Sequence, residues 1–96
     1  MVERVLSRIL FLEDEQNVGV TLKERLVQEH FEVVWVRSLA EADDALISGK
    51  RFDLALLDVM LPDGSGMDVA AKIKKSSPAT AIIFLTALGN PEDRIR

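Results

Sequence analysis

The sequence predicts an α/β fold built on a doubly wound parallel sheet, and two observations support this. Short apolar runs alternate with longer amphipathic stretches along the chain. The apolar residues in these runs are continuous rather than alternating, which is typical of strands covered on both faces in a parallel sheet. Strands and helices that alternate at this spacing are joined by right-handed βαβ crossovers, which place helices on both faces of the sheet.

Four apolar runs are predicted to be strands, because each is short and rich in branched and aromatic residues. They are ILFL (9–12), FEVVWV (31–36), LALL (54–57) and AIIFL (81–85).

The first helix is predicted within EQNVGVTLKERLVQEH, residues 15–30. Apolar residues recur there at every fourth position and form one stripe: Val18, Leu22 and Leu26. Glu15 is interpreted as an acid in the first turn, where negative charge is favourable, although membership of an acidic cluster is the alternative. His30 falls where this helix turns into the second strand, a place that often needs left-handed backbone, which His tolerates better than most residues.

A capping box begins the second helix, since Ser38 is followed three residues later by Glu41. Its inward residues are predicted to be Leu39, Ala42 and Leu46, and Gly49 is placed to end it. A turn at 62–64, Pro-Asp-Gly, leads to the third helix, so Asp63 is given no catalytic role. One face of the third helix is predicted to hold Met67, Ala70 and Ile73, and the helix ends before Pro78.

Composition excludes several classes of function. The 96 residues suit one small domain, and a net charge of -4 argues against direct nucleic-acid contact by this segment. The absence of cysteine excludes disulfides and thiolate chemistry. No apolar run is long enough for a membrane span and the start lacks a signal-peptide core, so we expect a cytoplasmic location without membrane contact.

Acids follow two of the predicted strands, at the sheet edge where ligands bind in open α/β folds. Glu13 and Asp14 follow the first strand, Asp58 follows the third, and Thr86 follows the fourth. A strand order of 2-1-3-4 would make the first and third strands neighbours and bring the three carboxylates together. Crowded carboxylates need a cation, and an all-oxygen ligand set selects a hard ion such as Mg²⁺. A carboxylate beside Mg²⁺ can act as a nucleophile toward a phosphoryl group.

The chain resembles the receiver domains of two-component response regulators. The resemblance is carried by LFLEDE after the first strand, DLALLDVMLPDGSGMDV around the third and IIFLTA at the fourth, together with their mutual spacing. It implies a flavodoxin-like sheet, a signalling role and phosphoryl transfer from a histidine kinase or a phosphotransfer protein.

The resemblance also implies roles for individual residues. Asp58 would be the phosphoacceptor, and Asp14, Asp58 and the backbone carbonyl of Met60 would bind Mg²⁺, with Glu13 reaching the ion mainly through water. Thr86 would be the switch hydroxyl, and Ala87 the small residue that leaves room for the phosphoryl group.

The chain departs from the receiver pattern at its end. We expect residues 1–96 to form one partial receiver domain that ends at the start of a fourth helix, because Asn90 and Pro91 are typical of a helix beginning. The fifth strand, with its phosphate-binding lysine and switch aromatic, and the last helix are not in the sequence. We therefore expect weak Mg²⁺ binding, poor phosphoryl uptake or retention, and self-association through uncovered apolar surface. In the family, a DNA-binding output domain is the commonest continuation.

Two other functions are weighed against this one. The first is a Mg²⁺-dependent phosphatase that forms an aspartyl phosphate, but such enzymes usually carry a second Asp two residues after the nucleophile, where this chain has Met60. No turnover enzyme is therefore expected. The second is a receiver-like scaffold that binds partners without phosphorylation. Trp35 is interpreted as a packing residue, because its neighbours form a strand.

Overall fold

The main sheet has four parallel strands in a computed structural model that describes residues 7–85. The strands are β1 (Arg8–Leu12), β2 (Glu32–Val36), β3 (Leu54–Asp58) and β6 (Ala81–Leu85). A short antiparallel pair, β4 (Met60–Leu61) and β5 (Gly64–Ser65), is joined by the first two residues of the predicted turn, and its third residue, Gly64, begins β5. The helices are α1 (Gln16–Gln28), α2 (Leu39–Ile47) and α3 (Gly66–Ser76). Within residues 7–85 no helix has the length and apolar character needed to cross a bilayer.

The strand order is β2-β1-β3-β6, which confirms the predicted flavodoxin-like order of 2-1-3-4. All three strand pairings are parallel, and Leu12 at the end of β1 pairs in register with Val36 of β2 and Leu57 of β3. The last residues of β1 and β3 therefore lie at the same edge of the sheet. Asp58 is the final residue of β3, one residue beyond the predicted end of that strand.

Helices cover both faces of the sheet. On one face, Ile9 and Phe11 of β1 form a buried cluster with Leu56, against which Leu22 and Leu26 of α1 pack. On the other face, a larger cluster joins alternate residues of β1 and β3 to α2 and α3: Leu10, Leu12, Ala55, Leu57, Ala42, Val69 and Ile73. Because β1 and β3 are covered on both sides, they are held rigidly, and so are the acids that follow them.

The outer strands are less buried than their continuous apolar sequences predict. Residues of β2 are mostly half-buried, and β6 exposes Ile83 and Phe84 at 50 % and 40 %. Both strands are at the ends of the four-strand order, so each has a partner on one side only within residues 7–85. An apolar run therefore identified a strand but did not show whether it was central.

Local signals at the helix ends are largely confirmed. His30 has a φ of 72°, as expected for left-handed backbone after α1, and Gly49 has a φ of 90° after α2. The Ser38 hydroxyl accepts a hydrogen bond from the Glu41 amide, while the Glu41 carboxylate accepts from the amide of Arg37, one residue earlier than a standard capping box.

Two helix predictions are wrong in detail. Glu15 is the N-cap of α1, where its carboxylate accepts hydrogen bonds from Asn17 and Val18, so it precedes the first turn. Met67 is 58 % exposed and does not share the buried face of α3, which consists of Gly66, Val69, Ala70 and Ile73. The helix begins at Gly66, which lies against the backbone of β3. The side chain of the next residue, Met67, therefore points away from the sheet, toward solvent.

Candidate functional site

Asp58 lies at the carboxyl edge of the sheet in a closely packed setting. Its side chain is buried, with 7 % of the residue exposed, and Oδ1 accepts a hydrogen bond from the amide of Met60 at 3.2 Å. The start of α3 approaches the backbone here, since the Gly66 amide donates to the carbonyl of Val59 at 3.0 Å. A Cβ on Gly66 would overlap the carbonyl oxygen of Asp58, so only glycine permits this approach.

Glu13 is the second buried acid and comes directly after β1. It is 6 % exposed, its amide donates to the carbonyl of Val36 at 3.0 Å, and Oε2 accepts from the amide of Glu15 at 3.0 Å. Burial raises the pKa of Glu13 above its ordinary value, and the charges of Asp58 and Asp14 raise it further, partly opposed by the hydrogen bond from Glu15.

The three acids form one cluster. One carboxylate oxygen from each of Glu13, Asp14 and Asp58 lies within 4.8 Å of the other two, and Asp14 is half-buried. The predicted convergence of the three acids is therefore present. Their role as metal ligands stays a prediction.

The structure locates only some of the other residues that the sequence assigns to the site. The amide of Met60 contacts Asp58, but the described contacts do not test its carbonyl as a ligand. Thr86 and Ala87 lie outside the described residues. Asp63, interpreted as turn chemistry alone, has a further contact, since both its carboxylate oxygens accept from the amide of Leu39 at 3.1 and 3.2 Å. This bond ties the loop after Asp58 to the start of α2.

Sequence reasoning missed two residues at the end of β2. Trp35 and Arg37 each donate a hydrogen bond to the loop that carries Glu13 and Asp14. No local motif marks such contacts, because they join residues more than twenty positions apart in the chain. The parallel pairing of β1 with β2 was the available signal, since it places the ends of both strands side by side.

A parallel sheet in the order β2-β1-β3-β6, with three acids at its carboxyl edge, defines a CheY-like receiver domain. The family model described as the response regulator receiver domain matches residues 9–96. The chain belongs to this family.

Known response regulators and solved receiver-domain structures are similar to this chain. The chain is 37 % identical over 89 residues to response regulator RppA of Synechocystis sp., a match that covers 92 % of this chain and 38 % of RppA. The non-phosphorylated HemR receiver domain of Leptospira biflexa is 42 % identical, with a TM-score of 0.78, and the match covers 94 % of this chain and 72 % of that one. TrrA of Thermotoga maritima, solved in complex with histidine kinase ThkA, is 34 % identical with a TM-score of 0.73, over 88 % of this chain and 72 % of TrrA.

The raised pKa of Glu13 predicts how stability depends on pH when no metal ion is present. Its folded-state pKa lies above 4.5, so the folded protein holds this proton more tightly than the unfolded chain does. The associated stability is present below pH 4.5 and is lost as the pH rises through the folded-state pKa. Glu13→Gln should remove this loss, which urea unfolding across a pH series in EDTA will measure.

Glu24→Gln is the matched control, since Glu24 is an exposed acid on α1 outside the cluster. It should leave the pH profile of the free energy of unfolding close to that of the wild type. An identical pH profile for Glu13→Gln and the wild type would show that the cluster does not perturb Glu13.

Proposed function

We propose that this chain is a phosphorylation-controlled signalling module that accepts a phosphoryl group on Asp58 from a histidine kinase, with Mg²⁺ bound at the acidic cluster. The observation that carries the proposal is the convergence of Glu13, Asp14 and Asp58 at the carboxyl edge of the sheet. The complex of TrrA with histidine kinase ThkA supports the class of partner, by similarity.

The donor groups fit Mg²⁺. The cluster offers only carboxylate oxygens, and Mg²⁺ prefers oxygen ligands, accepts one or two carboxylates and keeps several waters. Asp14 and Asp58 would hold the ion with the carbonyl of Met60, and Glu13 would reach it through water. A cation here would also offset the repulsion that helps to raise the pKa of Glu13. TrrA has been solved in complex with Mg²⁺ and beryllium fluoride, which supports the same ion for this site.

The reaction is a displacement at phosphorus. A carboxylate oxygen of Asp58 attacks the phosphoryl group of a phosphohistidine; the new P–O bond forms as the P–N bond breaks, and the bonding electron pair leaves on the imidazole nitrogen. When bound, Mg²⁺ would supply positive charge that offsets the charge on the phosphoryl oxygens. The amide of Met60 fixes one oxygen of Asp58 and so orients the carboxylate.

The remaining roles are proposed by the family resemblance. Thr86 would donate a hydrogen bond to a phosphoryl oxygen and act as the switch hydroxyl, and Ala87 would leave space for the group. The product is an acyl phosphate whose added charge biases a two-state surface.

Incubation with the phosphodonor acetyl phosphate tests the proposal. We expect slow, partial incorporation of one phosphoryl group, consistent with the poor uptake or retention predicted for this segment. The incorporation should require Mg²⁺, be prevented by EDTA and be reversed by hydroxylamine, as for an acyl phosphate. Intact mass spectrometry measures incorporation, and a steady-state assay of phosphate release separates a signalling module from a phosphatase. Incorporation that is unaffected by EDTA, or a hydroxylamine-resistant phosphate, would contradict the proposal.

The natural protein is proposed to be longer than this segment, since the chain spans 38 % of the length of RppA. A DNA-binding output domain is the commonest partner of a receiver in one polypeptide, and this segment, with a net charge of -4, would not itself contact nucleic acid. The codons that follow Arg96 in the parent gene test this. The cytoplasmic location remains a prediction.

We also propose that the chain self-associates through β6. Ile83 and Phe84 are exposed there, and β6 has a strand partner on one side only within residues 7–85. Exposed apolar strand edges favour pairing with another chain. Light scattering over a concentration series should show a rising mass that Ile83→Lys reduces, whereas Val27→Lys, at an equally exposed residue of α1, should not. A constant monomer mass for the wild type would contradict self-association.

A further inference from the structure

Three consecutive residues, the last two of β2 and Arg37 directly after it, hold the backbone of the loop after β1. The indole Nε1 of Trp35 donates to the carbonyl oxygen of Glu13 at 2.9 Å, and Nη2 of Arg37 donates to the carbonyl oxygen of Asp14 at 3.0 Å. Between them, the carbonyl of Val36 accepts from the amide of Glu13 at 3.0 Å. Both residues that contribute acids to the cluster from this loop are therefore fastened through their main chain.

Trp35 and Arg37, here called the loop clamp, are themselves held in place. The Arg37 guanidinium lies 5.5 Å from the centroid of the Trp35 ring, a cation–π distance. Nη1 of Arg37 donates to the side-chain oxygen of Gln16, the first residue of α1, at 3.0 Å. The two donors of one guanidinium thus span the loop from Asp14 to the start of the helix, which a lysine ammonium on a flexible stem cannot reproduce.

The indole ring is also fitted to α1. It lies against Gly19, where a Cβ would overlap three ring carbons, and it stacks on Phe11 with ring centroids 6.4 Å apart. Phe11 is fully buried in β1, so the position of the indole is set by the sheet. The hydrogen bond from Nε1 transmits that position to the backbone of Glu13.

The two clamp bonds end on carbonyl oxygens, which leaves the carboxylates of Glu13 and Asp14 to face Asp58. Without such restraint, repulsion among the three carboxylates would favour a loop that swings away from the sheet edge. We propose that Trp35 and Arg37 are positioning residues for the cation site, which hold Glu13 and Asp14 within reach of the same ion as Asp58. The inference rests on the proposed function, because it assumes that the cluster binds Mg²⁺.

Trp35→Phe and Arg37→Gln test the clamp through Mg²⁺ affinity, measured by isothermal titration calorimetry on the full chain. Trp35→Phe keeps an aromatic side chain at this position and removes the Nε1 donor. Arg37→Gln removes the guanidinium from an exposed side chain. Each substitution should weaken Mg²⁺ binding about tenfold. This is the lower end of the range of affinity losses that follow when residues that orient metal ligands are replaced. Arg51→Gln, which removes the same charge from an exposed residue outside the clamp, should leave the affinity within about twofold of the wild type.

The fluorescence of Trp35 gives a second readout, because it is the only tryptophan in the chain. Mg²⁺ should change its emission in the wild type and in Arg51→Gln, and should change it little in Asp58→Asn at the same concentrations. Urea unfolding of each variant establishes that it is folded; if Trp35→Phe is not, Arg37→Gln decides the question.

The possible outcomes separate the two proposals. Wild-type affinity in Trp35→Phe and Arg37→Gln, with weakened binding in Asp58→Asn, would overturn the clamp and leave the proposed function in place. A wild-type chain that binds no Mg²⁺ would overturn both. Equal losses in Arg37→Gln and Arg51→Gln would show that net charge, not positioning, sets the affinity, and would also overturn the clamp.

Discussion

Replacement of Asp58 by asparagine is expected to abolish phosphoryl transfer to this chain. The amide keeps the shape of the carboxylate, and its oxygen can still accept the hydrogen bond that Met60 donates to Asp58. It lacks the negative charge and the nucleophilic oxygen that form the acyl phosphate. Mass spectrometry after incubation with acetyl phosphate and Mg²⁺ should therefore show that a fraction of the wild-type protein carries one phosphoryl group and that Asp58→Asn carries none.

Asp63→Asn is the matched control for this prediction. Asp63 lies five residues later and carries the same functional group, but it is not in the cluster and contacts the amide of Leu39. Its replacement should leave phosphoryl incorporation unchanged. Labelling of Asp58→Asn to the wild-type extent would mean that the group is carried elsewhere and would remove Asp58 from the mechanism.

Gly66→Ala is expected to destabilise the protein by about 1–3 kcal/mol, the usual cost of forcing extra volume into a packed site. The new Cβ would overlap the backbone carbonyl of Asp58, which cannot rotate away as a flexible side chain can. Gly66 is the first residue of α3, and alanine is the better helix former by up to about 1 kcal/mol, so intrinsic propensity alone predicts a gain. A loss of stability thus reports the clash.

Gly49→Ala serves as the comparison, because nothing lies within 4 Å of its would-be Cβ and only its φ of 90° opposes the change. Urea unfolding should show a larger loss for Gly66→Ala than for Gly49→Ala. A larger loss of stability for Gly49→Ala than for Gly66→Ala would show that Gly66 is not in close contact with the backbone carbonyl of Asp58.

Much of the fold followed from the sequence, because strand and helix formation are recorded in local patterns. The runs ILFL and LALL mark the two central strands, and His30 and Gly49 mark the ends of α1 and α2. Sequence patterns are less informative about which face of a helix is buried, and Met67 of α3 is an example. Its spacing from Ala70 and Ile73 suggested a shared face, but the contact of Gly66 with β3 sets the rotation of α3 and leaves Met67 exposed.

The site was predicted unevenly for a related reason. Strand ends place Glu13, Asp14 and Asp58, so their convergence follows once β1 and β3 are neighbours. Residues that contact the site from a distant part of the chain have no local sequence pattern that identifies them. Trp35 was interpreted as packing, which is half of its role, because its ring packs on Gly19 while its Nε1 holds the loop.

The most direct test of the central claim is to locate the phosphoryl group. After reaction with acetyl phosphate and Mg²⁺, borohydride reduction converts an aspartyl phosphate to homoserine, and peptide mass spectrometry then identifies the position. The account predicts homoserine at position 58 only, and none when EDTA is present. Homoserine at another acid, such as Asp14 or Asp63, or a labelled peptide that resists reduction, would contradict it.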